Sequence, residues 1–409
     1  MTIRNLISIG ALCLLVWACS DSAEVTEPAV EPVVPDAPIT YEFTAEQSRA
    51  AEASAPFMDK FWLAAEASMG ESNYVVSPLS ADILLSMVAN TSTGNLGEEI
   101  LQTLGCIDKT VLNELASKYN VALPALDPSV TLGIYNTSWY KNRYIINPAF
   151  VDLMDYYYDA EVVGHPFDNS LVGEVNAWCD RKTNGLIPEI IYNVPDDAVM
   201  LIADALYLKG AWANPFDVEN TSEKVFRGSR GDSKVMMMNA VGMQHYAENA
   251  NFQAVRMELG SGAIEAVFVL PREGADMDSF LSENIEAINN ANFMDMDIDF
   301  SIPRFKFVSG IMRLNEMLGT TGIKSLGVAD PTDVLEGLAM IRHHIFQRTS
   351  LEFNEQGAEG AAVTWDIAQI EDIGSEYHKP VMNVNRPFYV IVRVAATGAP
   401  LFAGRINNL

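Results

Sequence analysis

Reactive side chains are scarce in this sequence. Its five histidines are His165, His245, His343, His344 and His378, and they follow no pattern that catalysis or metal binding requires. A nucleophile elbow would read Gly-x-Ser-x-Gly, a zinc-protease helix His-Glu-x-x-His, and a phosphate loop Gly-x-x-x-x-Gly-Lys-Ser/Thr. None of these motifs is present. His343 and His344 are adjacent, and strand neighbours point to opposite faces, so the pair reads as core or surface histidines. Of the four cysteines, Cys13 lies in an apolar leader and Cys19 closes it. Cys106 and Cys179 show no metal-ligand spacing and read as buried thiols, with a bond between them left open. No enzyme, metal site or cofactor is expected.

The unusual chemistry is in the backbone. Leu351-Glu352-Phe353-Asn354 alternates like a strand. Glu355-Gln356-Gly357-Ala358-Glu359-Gly360-Ala361-Ala362-Val363-Thr364 follows, a run of small residues without an apolar helical stripe. Two glycines within it make a poor helix. About twenty residues from Trp365 then lack clear periodicity before Phe388 opens an apolar strand, and structureless stretches of that length inside a domain are usually functional or disordered. A segment that must slip between two strands of a sheet needs small inward side chains, which Gly and Ala supply at little entropic cost. Each ladder bond gained is worth about 1 kcal/mol, so a dozen residues bonded on both edges gain on the order of 10–20 kcal/mol. A fold that withholds such a strand is metastable.

The elements that must position this segment are legible in outline. Apolar residues from Phe43 to Trp62 recur at helical spacing. Ser77-Pro78-Leu79-Ser80 opens a second helix, with Ser77 or Ser80 as cap and Pro78 in the first turn. Residues 130–140 and 201–208 read as strands, 175–191 as a helix ending near Asn184-Gly185, and 255–270 as one buried strand stopped by Pro271. Residues 388–394 and 401–406 read as a closing hairpin across Thr397-Gly398. Helices come early and strands late without βαβ alternation, which predicts an α+β fold.

The 409 residues are 49% hydrophobic, with a formal charge of −28. That supports a sizeable core and excludes a nucleic-acid partner, which needs clustered Lys and Arg. Arg4 and the apolar run after it are too short to span a bilayer and read as a signal peptide over residues 1–18. Leu15-Val16-Trp17-Ala18-Cys19 resembles a bacterial lipobox, which implies lipidation of Cys19 and anchoring to a membrane. Residues 19–42, with Pro28, Pro32, Pro35 and Pro38, read as an extended acidic tether. The body is then 43–409. The expected location is the cell envelope, on the outer membrane or cell surface, with secretion or the periplasm as the alternative.

Motifs in order along the body resemble those of the serpin family. The run Glu355 to Ala362 looks like the family's hinge, Glu-Glu-x-Gly-Thr-Glu-Ala-Ala-Ala-Ala. Asn73 to Ser80 resembles N-x-x-x-S-P-x-S, and Gly94 to Ile100 follows in order. Val175 to Trp178 with Thr183 to Ile187 is similar to N-x-W-V…T-x-G-K-I. Tyr207 to Trp212 with Pro215-Phe216 resembles Y-F-K-G-x-W-x-x-P-F. Ile302 to Phe305, Asn385 to Phe388 and Leu401 to Ile406 resemble the late strands.

The resemblance implies three β-sheets, eight or nine helices and an exposed reactive-centre loop, here about 355–386. It also implies a monomer that acts on a target protease of the serine or cysteine class. The protease is trapped as a covalent acyl complex when the cut loop inserts into the main sheet. Glu355, Gly357, Ala358, Glu359, Gly360, Ala361 and Ala362 would form the hinge. Ser77, Pro78, Ser80, Asp204, Trp212 and Gln347 would form the gate. Ala358 and Gly360 replace a usual Thr and Ala but stay small. Asp204 and Gln347 stand where an Asn and a His commonly hydrogen-bond beneath the sheet, and an Asp and a Gln have the groups to pair there as well. Counting about sixteen residues on from Glu355 reaches a reactive bond at Glu371 and Asp372. Counting back about eleven from Pro387 reaches Glu376, beside Tyr377; the two counts disagree because the loop is about five residues longer than usual, and insertion length favours Glu371. Lys379, before Pro380, is a further alternative. The competing class is a non-inhibitory binding or chaperone-like protein on the same fold.

Overall fold

The computed structural model describes residues 44–358 and 379–409. Its eight α-helices among the described residues are α1 (Ala45–Met69), α2 (Pro78–Ala89), α3 (Asn95–Thr103), α4 (Lys109–Ala122), α5 (Pro148–Tyr158), α6 (Ser170–Lys182), α7 (Phe280–Asn289) and α8 (Asn315–Thr321). A capping box starts α1: the Thr44 hydroxyl accepts from the Gln47 amide at 3.2 Å, and Gln47 Oε1 accepts from the Thr44 amide at 3.0 Å. Ser77 caps α2 and Pro78 takes its first position, as the sequence predicts. Asn184 and Gly185, at φ 51° and 81°, turn the chain out of α6 at the expected place.

The principal strands are β1 (Tyr74–Val76), β2 (Val130–Lys141), β3 (Glu161–His165), β4 (Met200–Ala211), β5 (Ser222–Gly228), β6 (Gly231–Glu248), β7 (Phe252–Leu259), β8 (Ile264–Pro271), β9 (Met294–Pro303), β10 (Phe305–Val308), β11 (Ser350–Asn354), β12 (Gly357–Ala358), β13 (Val381–Asn383), β14 (Phe388–Val394) and β15 (Pro400–Ile406). They form a six-stranded sheet in the order β10-β11-β12-β4-β2-β3. A nine-stranded sheet runs β1-β15-β14-β8-β7-β6-β9-β13, with β5 on β6. The 18-residue β6 makes two of the three expected sheets continuous: its start pairs with β5 and its end with β7.

The single buried strand expected over 255–270 is not continuous. Residues 255–270 are two antiparallel strands, β7 and β8, joined by a turn in which Gly260 and Gly262 take φ 57° and 93°. Every residue of β8 is buried, so the polar alternation that would have exposed the hairpin is missing.

Two cores flank the six-stranded sheet. Leu132, Ile134, Leu206 and Leu208 join the large core beneath α1, α2 and α4. Trp139, Ala203 and Ala205 join a smaller one with Val175 and Trp178 of α6, where the two indoles meet edge to face at 5.8 Å. Cys106 and Cys179 are free and buried in the separate cores, which removes the possible bond between them. No described helix is long and apolar enough to cross a membrane.

Candidate functional site

The site is the edge of β4. Its other edge pairs with β2 along eleven positions, from Val130 opposite Gly210 to Tyr140 opposite Met200. On the facing side the described ladder has two rungs, where Gly357 and Ala358 of β12 lie opposite Ala211 and Gly210. Those two residues also pair with Asn354 and Phe353 of β11. The start of the small-residue run therefore occupies one end of the space between β4 and β11. Gly357 is required there. At its φ of 151° a Cβ would stand 2.1 Å from the Gly210 carbonyl oxygen and 2.7 Å from Ala211 Cα, so any side chain would displace backbone.

The chain is pinned as it turns into this seat. Asn354 Oδ1 accepts from the amides of Gln356 and Gly357 at 3.0 and 3.1 Å. The carbonyl oxygens of Gln356 and Glu355 accept from the amides of Trp212 and Phe216 at 2.8 and 2.9 Å. Trp212 lies parallel to Phe353 with ring centres 5.2 Å apart, and its indole N–H donates to the Asn354 carbonyl at 2.9 Å. The Glu355 carboxylate is buried, accepting from Arg304 and from the Thr221 hydroxyl at 2.8 Å. Burial alone would raise its pKa, but Arg304 and Thr221 hold it below the ordinary carboxylate value. Arg304 was visible only within the Ile302–Phe305 motif, and nothing in the sequence marked Thr221.

The middle of the same sheet is arranged differently. Gln347 spends its amide on the Ser77 backbone, accepting from its N–H at 2.9 Å and donating to its carbonyl at 3.0 Å. The Thr349 hydroxyl donates to the Val75 carbonyl at 2.6 Å, and Ser77 Oγ accepts from the Ser80 amide at 3.2 Å. An Asp204–Gln347 pair does not form, because the Ser77 backbone has taken both ends of the glutamine. Among the described residues neither Asp204 oxygen has a hydrogen-bond partner, and neither have Asn136 Oδ1 and Ser138 Oγ on adjacent β2. Burial pushes the Asp204 carboxyl up to about 7. A cavity of about 20 Å³ lined by Ser77, Ser80, Asp204 and Gln347 adjoins it, room for about one water.

At the far side of the loop, β13 runs parallel to β9 with Val381 opposite Asp299. Lys379 is drawn onto β9 through Asp297 at 2.7 Å and Asp299 at 3.2 Å. Glu359, Gly360, Ala361, Ala362, Glu371, Asp372, Glu376, Tyr377 and Cys19 lie outside the described residues. His343 is buried against the Thr91 hydroxyl at 2.9 Å, while His344 contacts Arg313 at 3.0 Å. No group of three or more described His, Cys, Asp or Glu stands close enough to hold a metal ion.

A six-stranded sheet in which a two-residue Gly-Ala strand sits between β11 and β4 is the arrangement that the comparisons with known proteins now place in a family. The family model described as "Serpin (serine protease inhibitor)" matches residues 55–409, and the chain belongs to the serpin family. Serpin-ZX of Arabidopsis thaliana is 27% identical, covering 82% of this chain and 92% of its own length. Leukocyte elastase inhibitor A of Mus musculus is 25% identical, covering 82% and 92%. The crystal structure of a thermophilic serpin, tengpin, in its native state has a TM-score of 0.78 at 24% identity, covering 91% of this chain and 96% of that one. The α+β serpin fold is that of this chain.

Proposed function

We propose that this protein is a suicide inhibitor of serine endopeptidases, and of cysteine endopeptidases where their clefts admit the same loop. The target cuts the segment between β12 and β13 as substrate and forms an acyl-enzyme, and the freed strand then extends the two rungs at Gly357 and Ala358 along β4. The nucleophile is the protease's own. The observation that carries this reading is the seat of Gly357-Ala358 between β11 and β4, with the remaining edge of β4 free of a described strand. A bond at Glu371 or Asp372 would suit a protease that prefers acidic residues; one at Tyr377 would suit a chymotrypsin-like enzyme. In the same reading the lipidated Cys19 and its tether hold the body, as a monomer, at the outer membrane or cell surface.

The test is incubation with a protease panel. At least one enzyme should give a complex that survives SDS, and the cut protein should melt well above the intact one. Clean cleavage by every protease with no thermal gain would leave only a binding role on this fold. Mass spectrometry of the cut loop assigns the bond.

A further inference from the structure

Three arginines from distant parts of the sequence meet at one cavity of about 250 Å³, lined by Arg227, Arg272, Arg386, Glu273 and Ala275 among others. Arg227 is near the end of β5. Arg272 opens the turn after β8, where Gly274 takes φ 83°, and Arg386 sits in the corner between β13 and β14. Against a chain charge of −28, this concentration of positive charge runs opposite to the rest of the surface.

The charges do not cancel. Arg227 pairs with Glu273 at 2.8 Å and Arg272 with Glu248 at 2.6 Å. Among the described residues no carboxylate lies within 4.0 Å of Arg386, whose one hydrogen bond goes to the Pro271 carbonyl at 2.8 Å. Burial pushes its guanidinium down from the ordinary value, and Arg227 and Arg272 add to that against Glu273. Two paired guanidiniums and one unpaired one leave a net positive cavity with unspent N–H donors, and the space far exceeds the roughly 30 Å³ of a water.

We propose that this cavity is a binding site for a tetrahedral oxyanion, a sulfate or phosphate group. A carboxylate offers two oxygens and satisfies one guanidinium fork, whereas a tetrahedral dianion has oxygens for all three arginines and neutralises the unpaired one. The site is an open depression across β5, the β8–α7 turn and the 385–387 corner, so a bound anion ties together three segments bordering the nine-stranded sheet.

The test is calorimetry and thermal melting of the full chain in sulfate or phosphate against chloride at matched ionic strength. The wild type should show saturable binding and a rise in melting temperature. Arg227→Gln with Arg272→Gln should weaken binding at least tenfold, and Ala275→Glu, which delivers a carboxylate into the cavity, should do the same without removing an arginine. A sulfated disaccharide binding tenfold tighter than inorganic sulfate would place the group on a sugar; equal affinity would mark the free ion as ligand. No saturable signal, or equal responses in wild type and both variants, would overturn the site.

Discussion

Two stretches of the β4 edge are built by opposite rules. Where β12 is seated, nearly every polar group is satisfied: Glu355 by Arg304 and Thr221, Asn354 by two amides, Trp212 by a carbonyl. Six residues along β4, Asp204 leaves both carboxyl oxygens without a described partner, beside a cavity of about 20 Å³. Unpaired buried polar groups are costly, each by about 1–3 kcal/mol. The short strand at Gly357-Ala358 is thus well bonded on both edges, while Asp204, farther along β4, keeps an unpaired buried carboxyl.

The comparison breaks most readily at Gly357. Gly357→Val cannot take its seat without moving the Gly210 carbonyl, a strain of several kcal/mol. Covalent complex should fall by about a hundredfold or more, with the protein cut as plain substrate, as read by SDS gels against a titrated protease. Unchanged trapping would show that the seat is not on the path. Ala358→Arg, whose position is buried, should fail in the same assay.

Asp204→Asn tests the cost of the unpaired carboxyl. The carboxyl, raised to about 7 from 3.8, keeps its proton in the fold over a range in which the unfolded chain has lost it. Stability therefore falls as pH rises from about 4 to about 7 and is level above, the full contribution being roughly 4 kcal/mol. Asp82, also raised to about 7 by burial, adds in the same direction. His343, pushed down to about 4 by burial, works the other way, gaining stability as pH rises to about 6.5. Subtracting the melting-versus-pH curve of Asp204→Asn from that of the wild type should isolate a fall across that window. A flat difference would mean that water already solvates the carboxylate.

Smaller effects sharpen the contrast. Gln347→Ala removes both contacts to the Ser77 backbone and should destabilise the native state by about 1–3 kcal/mol in denaturant melts. Glu355→Gln should cost about 1 kcal/mol, because Arg304 is half exposed and water screens the pair. If Glu355→Gln proves the costlier of the two, the seated end is under more tension than its bonding suggests.

Much of this was legible in the sequence. Ser77-Pro78, Asn184-Gly185 and the closing hairpin carry local signals of cap, stop and turn, and the first small residues of the run, Gly357 and Ala358, do form a short strand between β11 and β4. What stayed hidden depends on contacts across the chain. The β7–β8 turn was hidden because β8 is buried along its whole length and carries no polar alternation. Side-chain chemistry left an Asp204–Gln347 pair open, and a backbone 270 positions from Gln347 took the amide instead. Arg227, Arg272 and Arg386 have no common motif, and only the fold brings them to one cavity.

Cys106 and Cys179 also bear on how the molecule can be watched. Burial pushes both thiols up to about 12, so at neutral pH almost none of the nucleophilic thiolate is present. The described body is therefore silent toward maleimides and iodoacetamides while folded. A cysteine placed at exposed Tyr156 or Ile107 would be its reactive thiol, ready to carry a fluorophore. Loop movement could then be timed optically, without first mutating the native cysteines out of the two cores.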